Sequence, residues 1–263
     1  MAPAALLLPI LAAAVPGEDP PPAPAPAREP PRAARVVAAV AKAARESAAR
    51  VPEERLDGDA LGDALVRAAA GAAGDDARAF LVGLAHALDP DATLARHPLT
   101  AAAFRDLESA EEAEARRRDL GKPSLRGRRD LLLHFAASAA VAAIAGAPAA
   151  EAGGVAKEIA DARPGGSGFS FADLLADLAG IRFAAWVSVE PKARLARLAA
   201  EFRGADFCPD PAGEPEGLTA DAFAKEYGSA ADERFRKRVA ALKERVEALA
   251  AYAPEERKGD GPK

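Results

Sequence analysis

Three segments in the middle of this chain carry acids, one histidine and hydroxyls at helical spacing inside otherwise apolar sequence. In RRDLLLHFAASAAVAAIAGAP the polar positions are Asp130, His134 and Ser138. In GGVAKEIADA they are Lys157, Glu158 and Asp161, and in SGFSFADLLADLAG they are Ser170, Asp173 and Asp177. Residues three or four apart share a helix face, so each segment presents one polar stripe. A carboxylate on a buried helix is costly unless it is paired, and the arrangement expected is one in which the stripes face one another. One imidazole among several carboxylates suits three roles. It can hold a divalent metal in a helical bundle, with His134, Glu158, Asp161, Asp173 and Asp177 as candidate ligands. It can supply general acid/base chemistry, with His134, Glu158 and Asp173 as candidate catalytic groups. Or it can fix helix register as a structural cluster that includes Asp130, Ser138, Lys157 and Ser170. In that case Asp130 pairs with His134 on their own helix, and Lys157 or Arg182 neutralises the acids. No tight motif such as HExxH is present, so spacing leaves all three open.

The elements that must position these groups read as helices. The segments from Asp130 to Ala145 and over FADLLADLAGIRFAAWV are apolar on most sides, as expected at the centre of a bundle, and GAPAAEAGGVAKEIADAR supplies the helix between them. Pro148 fits a first turn, and Ser170 is placed to cap the third helix. Gly153, Gly154 and Gly180 each cost helix stability by about 1 kcal/mol relative to alanine, and are expected where backbones approach closely. Around this unit, amphipathic helices are predicted over 35–50, 58–73, 75–88 and 100–120, and shorter ones follow from Pro191 and after a Thr219 cap. A charged helix runs from about Ala230 to Tyr252. Sustained alternation is absent, which excludes a strand-based fold. The fold class expected is all-α: one helical domain over 33–253, with a core unit over 129–188.

Composition bounds the function. The chain has 263 residues, a formal net charge of -5 and 5% aromatic residues. An acidic chain without a basic face argues against nucleic acid as a partner. The one basic cluster, ARRRDLGKPSLRGRRD, reads as a solvated loop whose arginines pair with nearby carboxylates. Contact with lipid headgroups or with another envelope protein is its functional alternative. Residues 1–15 have the apolar run and the small residues (Ala12, Ala13, Ala14) of an export signal, without a basic start. The Pro-rich stretch 16–32 reads as an extended linker and 254–263 as a disordered tail. Cys208 is the single cysteine, so an intrachain disulfide is excluded, as is a zinc site built on several cysteines. Glu108, Glu111, Glu112 and Glu114 lie among arginines and read as a solvated, salt-bridged face. His86 and His97 have no partner at ligand spacing.

Over 129–184, about a fifth of the chain, the three polar segments resemble the YfiM-like periplasmic proteins and, more distantly, the VanZ-like membrane proteins. The matching residues are Asp130, His134 and Phe135, then Lys157, Glu158 and Asp161, then Phe169, Ser170, Asp173 and Gly180. Asp177 stands where VanZ-like proteins commonly carry an amide, and these helices are shorter and less apolar than clear membrane spans. The resemblance implies a cell-envelope setting and brings no reaction with it. Two functions follow as expectations. One is an exported helical binding or structural module around the polar cluster; the other is a metal-assisted envelope hydrolase using the same residues.

Overall fold

Valines and alanines recur at helical spacing from Arg32 onward, and this stretch forms α1 (Arg32–Ala48), with Val36, Val37, Val40 and Ala44 buried. The structure, a computed structural model, describes residues 31–253. The sequence readings of an export signal, of nearly all the linker and of the polar tail lie outside the described residues. Helices α2 (Gly58–Ala73) and α3 (Ala77–Leu88) follow α1 and pack against it and against each other. Asp76 caps α3 by accepting from the Ala79 N–H at 2.9 Å, which starts this helix two residues later than the sequence reading.

The stretch 100–120 departs from the single helix expected. After a short α4 (Thr93–Arg96) it opens with a 3-10 turn over Ala101–Phe104 and restarts as α5 (Ala110–Asp119). The break has two local causes. Asp106 sits at φ 58°, outside helical geometry. Ser109 and Glu112 form a reciprocal capping box, each side chain bonding the other's backbone N–H, and so open a new helix.

The centre of the molecule is built from α6 (Arg129–Ala145), α7 (Ala147–Asp161) and α8 (Phe171–Val189). α6 and α8 are the most closely packed pair, and both bury small residues: Ala136, Ala139 and Ala140 on α6, Ala172, Ala176 and Ala179 on α8. A Cβ at Gly180 would lie 2.1 Å from the Phe135 carbonyl oxygen, so this glycine sets how near the two backbones come. α7 rests on both, α3 lies against α6, and α9 (Pro191–Glu201) reaches back onto α2. Phe80, Phe135 and Phe183 fill the space between α3 and the α6–α8 pair, with ring centroids 6.0 and 5.1 Å apart along the series Phe80–Phe183 and Phe135–Phe183.

Beyond α10 (Gly204–Phe207) come α11 (Ala220–Tyr227), capped by Thr219 as expected, and α12 (Glu233–Glu247). The last helix is shorter than the 230–252 reading, because Asp232 caps it at one end and the chain leaves it at Ala248. Among the described residues there are twelve α-helices and no strand, only isolated bridges such as Phe169 with Leu218. The fold is all-α. Among the described residues no helix is long and apolar enough to cross a membrane.

Candidate functional site

Helical spacing turns His134 and Ser138 of α6 toward Asp177 of α8. Asp177 is 3% exposed; its Oδ1 accepts from the Ser138 hydroxyl at 2.6 Å and lies 3.1 Å from His134 Nδ1. The other imidazole nitrogen faces two more carboxylates, with Nε2 3.5 Å from Asp173 Oδ2 and 4.0 Å from Glu158 Oε1. Glu158, on α7, is fully buried. Its Oε1 takes the Lys157 ammonium at 3.0 Å and its Oε2 accepts the Ser170 N–H at 3.0 Å. The three stripes therefore do converge, and one nitrogen of His134 with one oxygen each of Glu158 and Asp177 lie within 4.8 Å of one another.

Ser170 has two tasks here. Its hydroxyl caps α8 by accepting the Asp173 N–H at 3.1 Å, while its own N–H anchors Glu158. Phe169 and Phe171 on either side of it are both fully buried. They pack against Phe223 and Tyr227 of α11 and Phe235 of α12, with Phe169–Phe223 at 4.5 Å and Phe171–Tyr227 at 4.7 Å between centroids.

Two expected members fall outside the centre. Asp130 lies in the first turn of α6, where its side chain is half-exposed; it takes the Arg128 guanidinium at 2.6 Å and does not pair with His134. Arg128 holds its carboxyl below the usual range against the effect of partial burial. Asp161, the last residue of α7, binds Lys157 at 2.8 Å and makes no contact with His134. Arg182 neutralises none of these acids, because it turns to Glu247 of α12. Arg128 was not singled out by spacing. It reaches Asp173 at 3.2 Å and also pairs with Glu216, tying α6, α8 and the loop before α11.

Electrostatically the centre is rich in acid. Burial pushes Glu158 up, with Lys157 opposing it, and raises Asp173 against the pull of His134. Burial disfavours the charged form of His134, but the hydrogen bond to Asp177 and the charges of Asp177 and Asp173 outweigh it and raise its pKa. Lys157 is likewise raised, burial being outweighed by Asp161 and Glu158. Two buried side-chain polar atoms among the described residues have no hydrogen-bond partner, Arg238 Nε on α12 and, in this centre, Asp177 Oδ2. This Oδ2 faces Gly154 of α7, where a Cβ would lie 2.6 Å from it. Gly154 and Gly180 are thus close-approach positions as expected, but Gly153 is not, since a Cβ there meets nothing within 4 Å.

A second buried polar group escaped the sequence reading. His86 does have a partner, Glu108, at 2.8 Å, and Glu108 leaves the solvated acidic face assigned to its neighbours. Arg116, 3% exposed, forks onto both Glu108 oxygens at 2.9 and 2.6 Å and donates to the Ala87 carbonyl at 2.7 Å. Glu108 and Arg116 lie eight residues apart across the loop-to-α5 boundary, and His86 is on α3, so no helical spacing relates the three. Cys208 is buried. No family model, curated protein or solved structure matches this chain.

Proposed function

We propose that this chain is an exported cell-envelope protein whose α6–α7–α8 unit is a binding module centred on His134, Glu158 and Asp177. The observation that carries the reading is the unpartnered, buried Oδ2 of Asp177. Buried polar atoms in a native fold are nearly always hydrogen-bonded, and a cluster kept only for register has no use for an unsatisfied one. The same protein offers the contrast: in the His86–Glu108–Arg116 group both Glu108 oxygens are bonded, the arrangement of a closed structural lock.

The hydrolase alternative needs a base that meets a substrate. Glu158 has both oxygens engaged and no exposed surface, which favours a holding role over a reaching one. The envelope setting is supported by the apolar run at the N-terminus and by the resemblance over 129–184 to YfiM-like proteins. A lipid-docking role for 115–130 has less support, because Arg116 is buried and Arg126 is spent on the Cys208 and Ala205 carbonyls.

The test compares melting of ligand-free Asp177→Asn and Glu108→Gln. At alkaline pH, where His134 is neutral and no longer needs a counter-charge, an asparagine keeps an acceptor for Ser138 and removes a buried charge whose Oδ2 has no partner. Asp177→Asn is therefore expected to melt at or above wild type while Glu108→Gln melts well below it, the pattern of a site retained for function at a cost in stability. Equal destabilisation by the two would assign the cluster to the fold and end the binding reading. Fractionation of cells expressing the C-terminally tagged full chain checks the location; recovery with cytoplasmic markers would refute export.

A further inference from the structure

We propose that His134, Glu158 and Asp177 hold a divalent first-row transition-metal cation, with Asp173 at its border. The inference deepens the binding-module reading and rests on it. A group of acids would not suffice alone. Here a second observation points to a ligand: Asp177 is almost completely buried, yet its Oδ2 has no partner and faces Gly154, a position of α7 without a side chain.

Spacing and charge agree. Metal–nitrogen and metal–oxygen bonds of about 2.0–2.2 Å put neighbouring ligand atoms of a tetrahedral ion about 3.3–3.6 Å apart. His134 Nε2 stands 3.5 Å from Asp173 Oδ2 and 4.0 Å from Glu158 Oε1, Asp177 Oδ1 stands 3.1 Å from Nδ1, and one donor atom each of His134, Glu158 and Asp177 lie within 4.8 Å of one another, so a turn of the imidazole and side-chain shifts of about an ångström would close the set. The fixed cations nearby are overcommitted. Lys157 serves Glu158 and Asp161, and Arg128 serves Asp130, Asp173 and Glu216, while neither is bonded to Asp177. Extra positive charge at the centre is therefore favoured. A nitrogen donor with carboxylate oxygens suits the borderline Zn²⁺ and admits the harder Mn²⁺, whereas Mg²⁺ and Ca²⁺ prefer oxygen alone. The hydrogen bonds to Glu158 and Asp177 from Ser170 and Ser138 would orient the ligand carboxylates, as outer partners of metal ligands commonly do.

Full-length protein dialysed against chelator, then titrated calorimetrically with Zn²⁺ and separately with Mn²⁺, tests this. One equivalent of at least one of the two ions is expected to bind, and at hundredfold excess over Kd to raise the melting temperature by about 5–10 °C. Mg²⁺ should do neither. Asp177→Asn and His134→Gln are expected to lose binding at least tenfold, Glu108→Gln to retain it. Gly154→Ala, a substitution favourable to the helix itself, is expected to weaken binding by filling the space beside Oδ2. Absence of stoichiometric uptake of both ions by wild type overturns the proposal, as does uptake unchanged in Asp177→Asn and Gly154→Ala. If uptake is absent while metal-free Asp177→Asn melts at or above wild type at alkaline pH, the cation fails and the binding module stands. If Asp177→Asn is as destabilised as Glu108→Gln, the module itself fails.

Discussion

Replacing Glu108 by glutamine should be among the costliest single-atom changes this protein can suffer. The carboxylate is nearly buried, and among the described residues it is the only anion bonded to Arg116, which is itself 3% exposed. Removing one partner of a buried ion pair typically costs about 3–5 kcal/mol, because the surviving charge is left without compensation. The carboxyl's own equilibrium supports a similar figure. Although burial opposes it, hydrogen bonds from Arg116 and His86 lower its pKa from 4.5 to about 2. A shift of that size corresponds to roughly 3 kcal/mol of preference for the ionised form in the folded state. For a domain of this size that translates into a melting temperature lower by about 6–12 °C at pH 7. The folded pKa is depressed, so the contribution is fully present above the unfolded value near 4.5 and is lost as pH falls through about 2. Circular-dichroism melts of wild type and Glu108→Gln at intervals from pH 7 to pH 2.5 read this directly. The gap between them should hold down to about pH 5 and then narrow. Glu112→Gln on the exposed face of α5 is the control: a glutamine still accepts the Ser109 N–H and keeps the capping box, so its melting temperature should stay close to wild type. A gap that is absent at pH 7, or that does not change with pH, would refute the assignment of a charged lock.

Other outcomes follow from the same geometry. Gly180→Ala would push a methyl into the Phe135 carbonyl and force α6 and α8 apart, costing about 1–3 kcal/mol. Gly153→Ala, with open space around it, should instead stabilise by up to about 1 kcal/mol; chemical denaturation measures both, and equal effects would contradict the packing described. In chelator-treated protein His134 should titrate above 6.5, observable by NMR of the ring protons. Because the folded value exceeds the unfolded one, its stabilisation is complete below about pH 6.5 and fades as pH rises through the folded value, so the melting gap to His134→Gln should shrink toward alkaline pH. A gap independent of pH would show that the imidazolium contributes nothing. Burial pushes the Cys208 thiol up to about 12, so thiol reagents should label it at the rate of unfolding, and immediate labelling of the native protein would contradict its placement.

The helical class and the convergence of the three stripes were legible because both depend on short-range periodicity. His134, Ser138 and Asp177 lie well inside the long apolar helices α6 and α8, where a shared face must also be a buried one, and Glu158 is one of the two buried residues of α7. Asp130 and Asp161 obey the same spacing, but they sit at helix ends, where a side chain can leave the face for solvent and for Arg128 or Lys157. Periodicity gives direction around a helix and says nothing of depth along it. The break between residues 104 and 110 was written locally, in Ser109 and Glu112, but the alanines and acids on either side are strong helix formers that mask it. The Glu108 lock could not be seen in any window of sequence, since its members come from α3, a loop and α5 and meet only after folding.

The seat of Ser170 between two buried phenylalanines also says how this protein can be divided. The polar segments occupy 129–184, but the peptide that aligns Glu158 is fastened by Phe223, Tyr227 and Phe235, some fifty residues downstream. Chemistry and alignment are therefore encoded apart, and an excised 129–184 fragment would carry His134, Glu158, Asp173 and Asp177 yet lack the vice that holds them. Exchange of this block between proteins, by recombination or by engineering, preserves the centre only if α11 and α12 travel with it.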